Sequence, residues 1–411
     1  MYNLGGIELD KTWFRMLAIG LCILSLIACS IAKEFVVPGD RDGDNVVSDS
    51  ELQEVSDSYR NGTITEDQLE IIKTIHDKYP RKANDTLGRT ITIWKPLERI
   101  VIFDHGMAED FRTLDAQDKL VAIDKYTKEL TVYFPEISKL PSVGTTGSPD
   151  IEGIMKLDPD AVIFYATGGN ESCNNLQSTL LSANPNIVVI RMDGYKEPHF
   201  IKEIESLGFI LDKENESKEF IDFYNKVLAP IKSHGMSLSE DDKVRVYMEG
   251  STDYSTCAQG AGFEMNLLMA NCRNIFADAQ VQYPTISDED IIVRDPEIVV
   301  KLWGYTLPDV GGYNSDDVSK VEAIRDAVVN RPGWRNMTAV KNNNVYVFYN
   351  NLVYGAQQTI GIAYLAKMFY PEDFPDMDPK AIHQEYLTRF QHLNYDLDKH
   401  GVFVYPPLNE S

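Results

Sequence analysis

The sequence predicts an α/β protein built from two similar lobes, because one segment pattern occurs twice in it. Residues 152–163 and 289–300 share a glutamate at the first position, an isoleucine at the third, Asp-Pro at the seventh and eighth, and a valine at the eleventh. Each copy predicts a short amphipathic helix that is ended by Asp-Pro and followed by a buried strand. The repetition favours a duplicated lobe with a cleft between the copies. Residues 215–234 carry a helical apolar stripe, which predicts one helix connecting them.

Strands alternate with helices on both sides of this connecting helix. The first lobe is expected to contain an exposed strand at 89–93, buried strands at 97–103 and 120–123, the first copy, a strand at 187–190 and a helix at 199–207. The second is expected to contain a strand at 244–248, a helix at 263–269, the second copy, a helix at 321–329, a strand at 345–348, and helices at 360–369 and 379–390. Such alternation is typical of parallel sheets covered by helices on both faces.

Composition indicates a globular, acidic protein. The chain has 411 residues, of which 43% are hydrophobic, and this is enough for a packed core in two or three domains. Its formal net charge is -24. Nucleic acid and anionic membrane surfaces are therefore excluded as partners on electrostatic grounds.

The N-terminus reads as an export signal. Residues 13–32 are almost free of charge and give way to an acidic run. Leu26-Ile27-Ala28-Cys29 matches a lipoprotein box, in which Cys29 would be acylated and become the mature N-terminus. Two alternatives stay open: the run is about long enough for an uncleaved anchor, and Cys29 also suits the core of an ordinary signal. We expect an extracytoplasmic protein on the outer face of the cytoplasmic membrane, which touches the membrane only through its anchor.

Residues 40–51 have the spacing of an EF-hand loop, which binds a hard cation through oxygens. The expected calcium ligands are Asp40, Asp42, Asp44, the carbonyl of Val46, Ser48 and Glu51. Asn45 stands where the sharp turn favours glycine, although Asn tolerates positive φ better than most residues. With a degenerate second copy at 57–68, the segment 34–82 resembles a dockerin module, whose partner would be a cohesin-like receptor. The alternative is an acidic linker without calcium.

Two cysteines allow two interpretations. Cys257 and Cys272 flank one predicted turn and helix, so outside the cytoplasm they could form a disulfide. Buried free thiols that behave as small hydrophobic side chains fit the same positions.

Candidate ligand-binding residues lie at the ends of predicted strands. His105 follows the first buried strand, where open α/β sheets place their ligands. Aromatic and planar side chains follow other strands: Tyr165, Arg191, Tyr254, Trp303, Tyr305, Tyr349 and Tyr354. Rings for stacking and one guanidinium for an anionic group suit a flat or chelated ligand, while the alternative for each side chain is packing. The sequence has no phosphate-binding loop, Gly-x-Ser-x-Gly elbow or His-Glu-x-x-His pair, so we do not expect an enzyme.

Several motifs carry a family resemblance over residues 84–407. They are Gly88 to Ile93 with Pro96 to Val101, Val143-Gly144 before Ile151-Glu152, Leu157 to Val162 with its counterpart near Glu289, Gly333-Trp334, Ala339 to Lys341, Val345-Tyr346, Ile362 to Ala366 and Tyr370-Pro371. The chain resembles the substrate-binding proteins of ABC importers for iron-siderophores, haem and vitamin B12 (cobalamin). The resemblance implies the class III periplasmic-binding-protein fold. Its Rossmann-like lobes would span 84–213 and 239–411 and be joined by one long helix at 214–238, after an export segment at 1–33.

The resemblance also implies a partner and a ligand. One glutamate on each lobe docks with the permease dimer, and the matching positions are Glu152 and Glu289. The alternative is that each only stabilises its own helix N-terminus. The implied ligand is a metal chelate, with a ferric siderophore favoured over a corrinoid or haem. Two other function classes stay open: a cell-surface structural protein that acts through its dockerin-like module, and an enzyme on a chelatase-like fold.

Overall fold

The computed structural model describes residues 35–196, 199–304 and 310–408. Cys29 and the export segment lie outside the described residues. The chain divides into two compact units, residues 1–76 and 77–411. Within the described ranges, no helix has both the length and the apolar character needed to cross a bilayer.

The helices are listed here in chain order and are numbered as in this sentence. They are α1 Asp49–Arg60, α2 Glu66–Lys78, α3 His105–Thr113, α4 Lys125–Glu129, α5 Ile151–Lys156, α6 Asn170–Ala183, α7 Phe200–Leu211, α8 Glu214–Ser237, α9 Gly262–Met269, α10 Asp288–Arg294, α11 Val318–Val329, α12 Thr338–Lys341, α13 Gln358–Phe369 and α14 Pro379–Arg389. Short 3₁₀ turns occur at Gln117–Lys119, Ile137–Lys139, Trp334–Asn336, Asn350–Val353 and Gly355–Gln357.

The strands are β1 Arg81–Asn84, β2 Thr90–Ile93, β3 Ile100–Ile102, β4 Leu120–Ala122, β5 Gly144–Thr145, β6 Ser148–Pro149, β7 Ala161–Phe164, β8 Val188–Arg191, β9 Arg245–Glu249, β10 Arg273–Asn274, β11 Ile298–Trp303, β12 Val345–Tyr349 and β13 Val404–Tyr405. The first lobe has a parallel sheet in the order β4-β3-β7-β8. The second lobe repeats this plan as β10-β9-β11-β12 and adds β13 as an antiparallel edge. The predicted two-lobed α/β architecture is confirmed.

Both copies of the sequence repeat fold in the same way. Each begins with a capped helix, α5 or α10, whose N-cap side chain accepts a backbone hydrogen bond in the first turn. Each helix gives way to a left-handed aspartate before proline, with φ of 46° at Asp158 and 41° at Asp295. The next strands, β7 and β11, are completely buried. The aspartate therefore turns the chain out of the helix, and the proline prevents the helix from continuing.

The connecting helix α8 is longer than its apolar stripe. It runs for 24 residues and buries Phe220, Tyr224 and Ile231, as the spacing predicts. The sequence interpretation missed α6 and the short strands β10 and β13. In α6 only Cys173, Leu176 and Leu180 are buried, so a weak stripe is surrounded by polar residues.

The disulfide interpretation is wrong for this structure. Cys257 and Cys272 are free thiols, each 1% exposed. They pack as small apolar side chains, and burial raises the pKa of Cys257 to about 12.

Candidate functional site

The first lobe gathers polar groups where its strand order reverses. In the order β4-β3-β7-β8 the switch point lies between β3 and β7, and ligands of open α/β sheets bind outside the carboxyl ends of such strands. Asp104 lies two residues after the end of β3 and caps α3 by accepting the backbone N–H of Met107. Tyr165 directly follows β7, and its hydroxyl donates to Asp104 Oδ1 at 2.7 Å.

The second lobe contributes Tyr354 to the same place. Its hydroxyl donates to Asp104 Oδ1 at 3.0 Å and lies 3.2 Å from the Tyr165 hydroxyl. Its ring is stacked between two rings of the first lobe, with centroids 4.6 Å from His105 and 4.4 Å from Tyr195. We call Asp104, His105, Tyr165, Tyr195 and Tyr354 the cleft cluster. It spans both lobes and is built from one carboxyl group and four rings.

Burial shapes the charges of the cleft cluster. Asp104 is 1% exposed, and burial raises its pKa to about 6 against the opposing hydrogen bonds from Tyr165 and Tyr354. Burial also lowers the pKa of His105 to about 4, although Asp124 acts in the other direction. Tyr165 and Tyr354 are only half-buried. The two tyrosines therefore keep some solvent exposure, whereas the carboxyl group that accepts their hydroxyls is buried.

Two glycines allow the lobes to approach each other here. A Cβ on Gly106 would lie 3.1 Å from the Tyr354 ring, and one on Gly355 would lie 2.5 Å from Glu109 Oε2. Gly355 also has a φ of +59°, which side chains disfavour. Larger residues at these positions would separate Tyr354 from the rings that hold it.

Beside the cleft cluster, Glu109 joins α3 to the second lobe. Its side chain is 1% exposed, and its Oε1 accepts the hydroxyls of Tyr133, at 2.6 Å, and Tyr386. Burial raises the pKa of Glu109 to about 7. One turn later, Arg112 Nε donates to Gln391 Oε1 at 2.7 Å. These buried polar contacts fix α3 against the last helix of the chain.

The structure moves Arg191 out of the predicted ligand site. Its side chain is 1% exposed and turns toward α6, where it donates to Asn174 Oδ1 at 3.1 Å and Gln177 Oε1 at 3.2 Å. It also donates to the carbonyls of Tyr165 and Ala166. The guanidinium therefore supports the loop that carries Tyr165, and the expectation that it contacts an anionic ligand is corrected.

The other predicted rings are dispersed. Trp303 and Tyr349 are buried against each other in the second lobe, with centroids 5.7 Å apart. Tyr254 donates to Asp288 Oδ2 at 3.1 Å and lies under the Arg331 guanidinium. Tyr305 lies outside the described residues. Of the predicted ligand residues, the structure brings His105 and Tyr165 together with Tyr354.

Sequence reasoning missed two members of the cleft cluster. Asp104 had a usable signal, since it is a carboxylate directly between a buried strand and a helix start. Tyr195 lies in a loop beyond β8, and no spacing relates it to the other rings. Only the fold brings it to Tyr354.

The two predicted docking glutamates occupy equivalent positions. Glu152 and Glu289 are exposed in the first turns of α5 and α10. Glu152 pairs with Lys156 at 2.6 Å, where both side chains are exposed. Next to Glu289, Asp288 accepts the Trp334 indole N–H at 2.8 Å, which anchors the helix to the lobe. Both carboxylates are therefore exposed at the starts of equivalent helices, and α10 is anchored to its lobe by Trp334.

In the first unit, the predicted calcium residues form part of a tight loop. Carboxylate oxygens of Asp40, Asp42 and Asp44 lie within 4.8 Å of one another. Asn45 has a φ of +68°, the conformation that glycine would supply. Glu51 accepts backbone N–H groups of Ser48 and Arg41, and these hydrogen bonds lower its pKa to about 2. The three aspartates fit a hard cation, whereas Glu51 would have to give up backbone donors to bind it bidentately.

Comparison with known proteins agrees with the fold. The model of the periplasmic binding protein family matches residues 100–352. An uncharacterized ABC transporter substrate-binding lipoprotein of Bacillus subtilis is 24% identical over 305 residues, which cover 72% of this chain and 88% of that protein. The molybdate-binding protein of Haemophilus influenzae is 23% identical over 348 residues, which cover 77% and 93%.

A solved structure supports the same assignment. The TroA-like periplasmic binding protein FepB of Veillonella parvula superposes with a TM-score of 0.68 and 24% identity, covering 79% of this chain and 99% of its own. The family comprises transport binding proteins, so the expectation that the chain is not an enzyme is confirmed. With more than half of its length matched, the chain belongs to the periplasmic binding protein family.

Proposed function

We propose that the protein is the substrate-binding component of an ABC importer and captures a metal chelate, specifically a ferric siderophore, between its lobes. The observation that carries the proposal is the cleft cluster, because it stands at the switch point of the first lobe and includes a ring from the second lobe. Stacked rings suit a flat or chelated ligand. No member of the cluster is a lysine or arginine, which favours a neutral or cationic chelate over a highly anionic one.

The ligand is tested on protein purified from its own host. Native mass spectrometry and visible absorbance distinguish a ferric siderophore, a corrinoid and haem, since these differ in mass and spectrum. A ferric siderophore that dissociates on denaturation and rebinds to the purified protein would support the proposal. If the bound molecule is a corrinoid, haem or an oxyanion, the ferric siderophore assignment is wrong and the transport role stands.

We also propose that Glu152 and Glu289 dock the protein on its permease. Two exposed carboxylates on separate lobes fix the orientation of a rigid body on a dimer. The double variant Glu152→Lys, Glu289→Lys should lose transport and leave ligand affinity unchanged. Glu136→Lys with Glu240→Lys is the matched control, because those glutamates are also exposed, at 79% and 78% of their side chains. Equal transport by both double variants would contradict docking.

For the N-terminal segments, we propose lipidation at Cys29 and calcium binding by the 40–51 loop. Mass analysis of the mature N-terminus tests the first, and Cys29→Ala should release the protein from membranes. Calcium should raise the melting temperature of the first unit, and Asp40→Asn with Asp42→Asn should remove that response. If calcium changes the melting temperatures of the wild type and the double variant equally, the 40–51 loop is an acidic linker without a calcium site. Capture of a cohesin-type receptor by the exported protein would favour the surface-structural role.

A further inference from the structure

The three hydroxyl and carboxyl oxygens at the centre of the cleft cluster have the arrangement of metal ligands. We infer that Asp104, Tyr165 and Tyr354 coordinate a hard trivalent metal ion such as Fe³⁺ directly, so that the protein completes the metal's ligand set. This inference rests on the proposed function and deepens it. A chelator would then supply only part of the coordination sphere.

The geometry supports one face of an octahedral site. The Asp104 Oδ1 to Tyr165 hydroxyl, Asp104 Oδ1 to Tyr354 hydroxyl and Tyr165 to Tyr354 hydroxyl distances are 2.7, 3.0 and 3.2 Å. Adjacent oxygens around an octahedral ion with metal–oxygen bonds of about 2.0–2.1 Å are about 2.9 Å apart. The three oxygen–oxygen distances therefore match one face of such a site.

Charge favours a trivalent ion. One carboxylate and two phenolates carry three negative charges, and the two phenol protons are released to solvent when the metal binds. A trivalent cation neutralises this set, whereas a divalent one leaves a net negative charge in a half-buried site, which is costly. His105 Nδ1 lies 3.5 Å from Asp104 Oδ1.

Neighbouring side chains contact two of these three ligands. His105 and Tyr195 hold both faces of the Tyr354 ring, at 4.6 and 4.4 Å between centroids. Asp104 is fixed by its capping bond to α3. Second contacts of this kind orient metal ligands in advance. Because Tyr354 belongs to the second lobe, a bound ion would also link the two lobes.

The test uses Fe³⁺ nitrilotriacetate as the probe and visible absorbance as the readout. Phenolate bound to Fe³⁺ gives a visible charge-transfer band, whereas Fe³⁺ nitrilotriacetate held only by packing does not, because its donors are carboxylates and an amine. Tyr165→Phe and Tyr354→Phe should each reduce the band and weaken Fe³⁺ binding by about tenfold or more. Tyr346→Phe, which removes a half-buried phenol from β12 of the second lobe, should change neither.

The outcomes separate this inference from the proposed function. Each phenylalanine keeps its ring, so equal melting temperatures will show that the stack survives. If wild-type protein binds ferric chelates without the phenolate band, the inference is overturned and the transport proposal stands. If neither Fe³⁺ nitrilotriacetate nor any ferric chelate binds, both fail. A band that persists in the double variant Tyr165→Phe, Tyr354→Phe would also overturn the inference.

Discussion

Replacing Glu109 with glutamine should remove a pH dependence that the buried carboxyl group confers on stability. Burial raises the pKa of Glu109 to about 7 from an ordinary value of 4.5. The folded state therefore holds this proton between pH 4.5 and 7, while the unfolded state releases it. By linkage, the free energy of unfolding falls as pH rises through this interval. A difference of about 2.5 pH units at 1.36 kcal/mol each gives about 3 kcal/mol above pH 7.

Glutamine mimics the protonated carboxyl group, so the two proteins should be equally stable near pH 4.5. Above pH 7 the Glu109→Gln variant should be more stable by about 3 kcal/mol, because it carries no buried charge. Urea unfolding of both proteins at closely spaced pH values between 4.5 and 8 measures the difference. Titration of Asp104 is common to both proteins and largely cancels, whereas loss of the Glu109 charge removes one of the interactions that raise the pKa of Asp110 and adds to the difference in the same direction. A control variant, Glu136→Gln, changes an exposed glutamate and should show no such trend.

The refuting result is a stability difference that does not vary with pH. It would mean that the hydroxyls of Tyr133 and Tyr386 stabilise the carboxylate enough to offset its burial. A variant less stable than wild type at every pH would show that the amide does not fit among these hydroxyls.

Two further predictions concern packing. Gly361→Ala places a Cβ 1.8 Å from the carbonyl oxygen of Leu352, so α13 must move, and denaturant unfolding should show a loss of about 1–3 kcal/mol in the free energy of unfolding. The control Gly147→Ala, whose Cβ has its nearest atom 4.0 Å away, should change stability little. Equal stability of the two variants would contradict the close approach. Both Cys257 and Cys272 should resist a thiol reagent in the native protein, because they are buried, and should react with it after denaturation without reductant. The masses of the labelled peptides measure this. Peptides that stay unlabelled after denaturation would indicate a disulfide.

The sequence was sufficient for elements whose signals are local. The repeat, the apolar strands and the stripe of α8 depend on residue spacing alone, and the position of His105 after the first buried strand was also visible in the sequence. Arg191 shows where local signals stop. It ends β8, and its side chain turns to α6, the helix that the sequence interpretation lacked. Its partners are 14 and 17 residues earlier in the chain, so only the tertiary fold reveals that the guanidinium is already engaged.

The cleft cluster and the two proposed docking glutamates are carried by different elements, and this separation suits the proposed delivery role. Asp104 and Tyr165 lie at the carboxyl ends of strands, whereas Glu152 and Glu289 lie on helices that precede strands. Asp288, the neighbour of Glu289, is held by the Trp334 indole and the Tyr254 hydroxyl. Tyr254 therefore supports α10 and lies apart from the cleft cluster. If ligand capture rearranges Tyr354, α5 and α10 can keep their own anchors. Charge reversal at Glu152 and Glu289 should therefore leave Fe³⁺ binding intact, and Tyr165→Phe should leave the proposed docking intact.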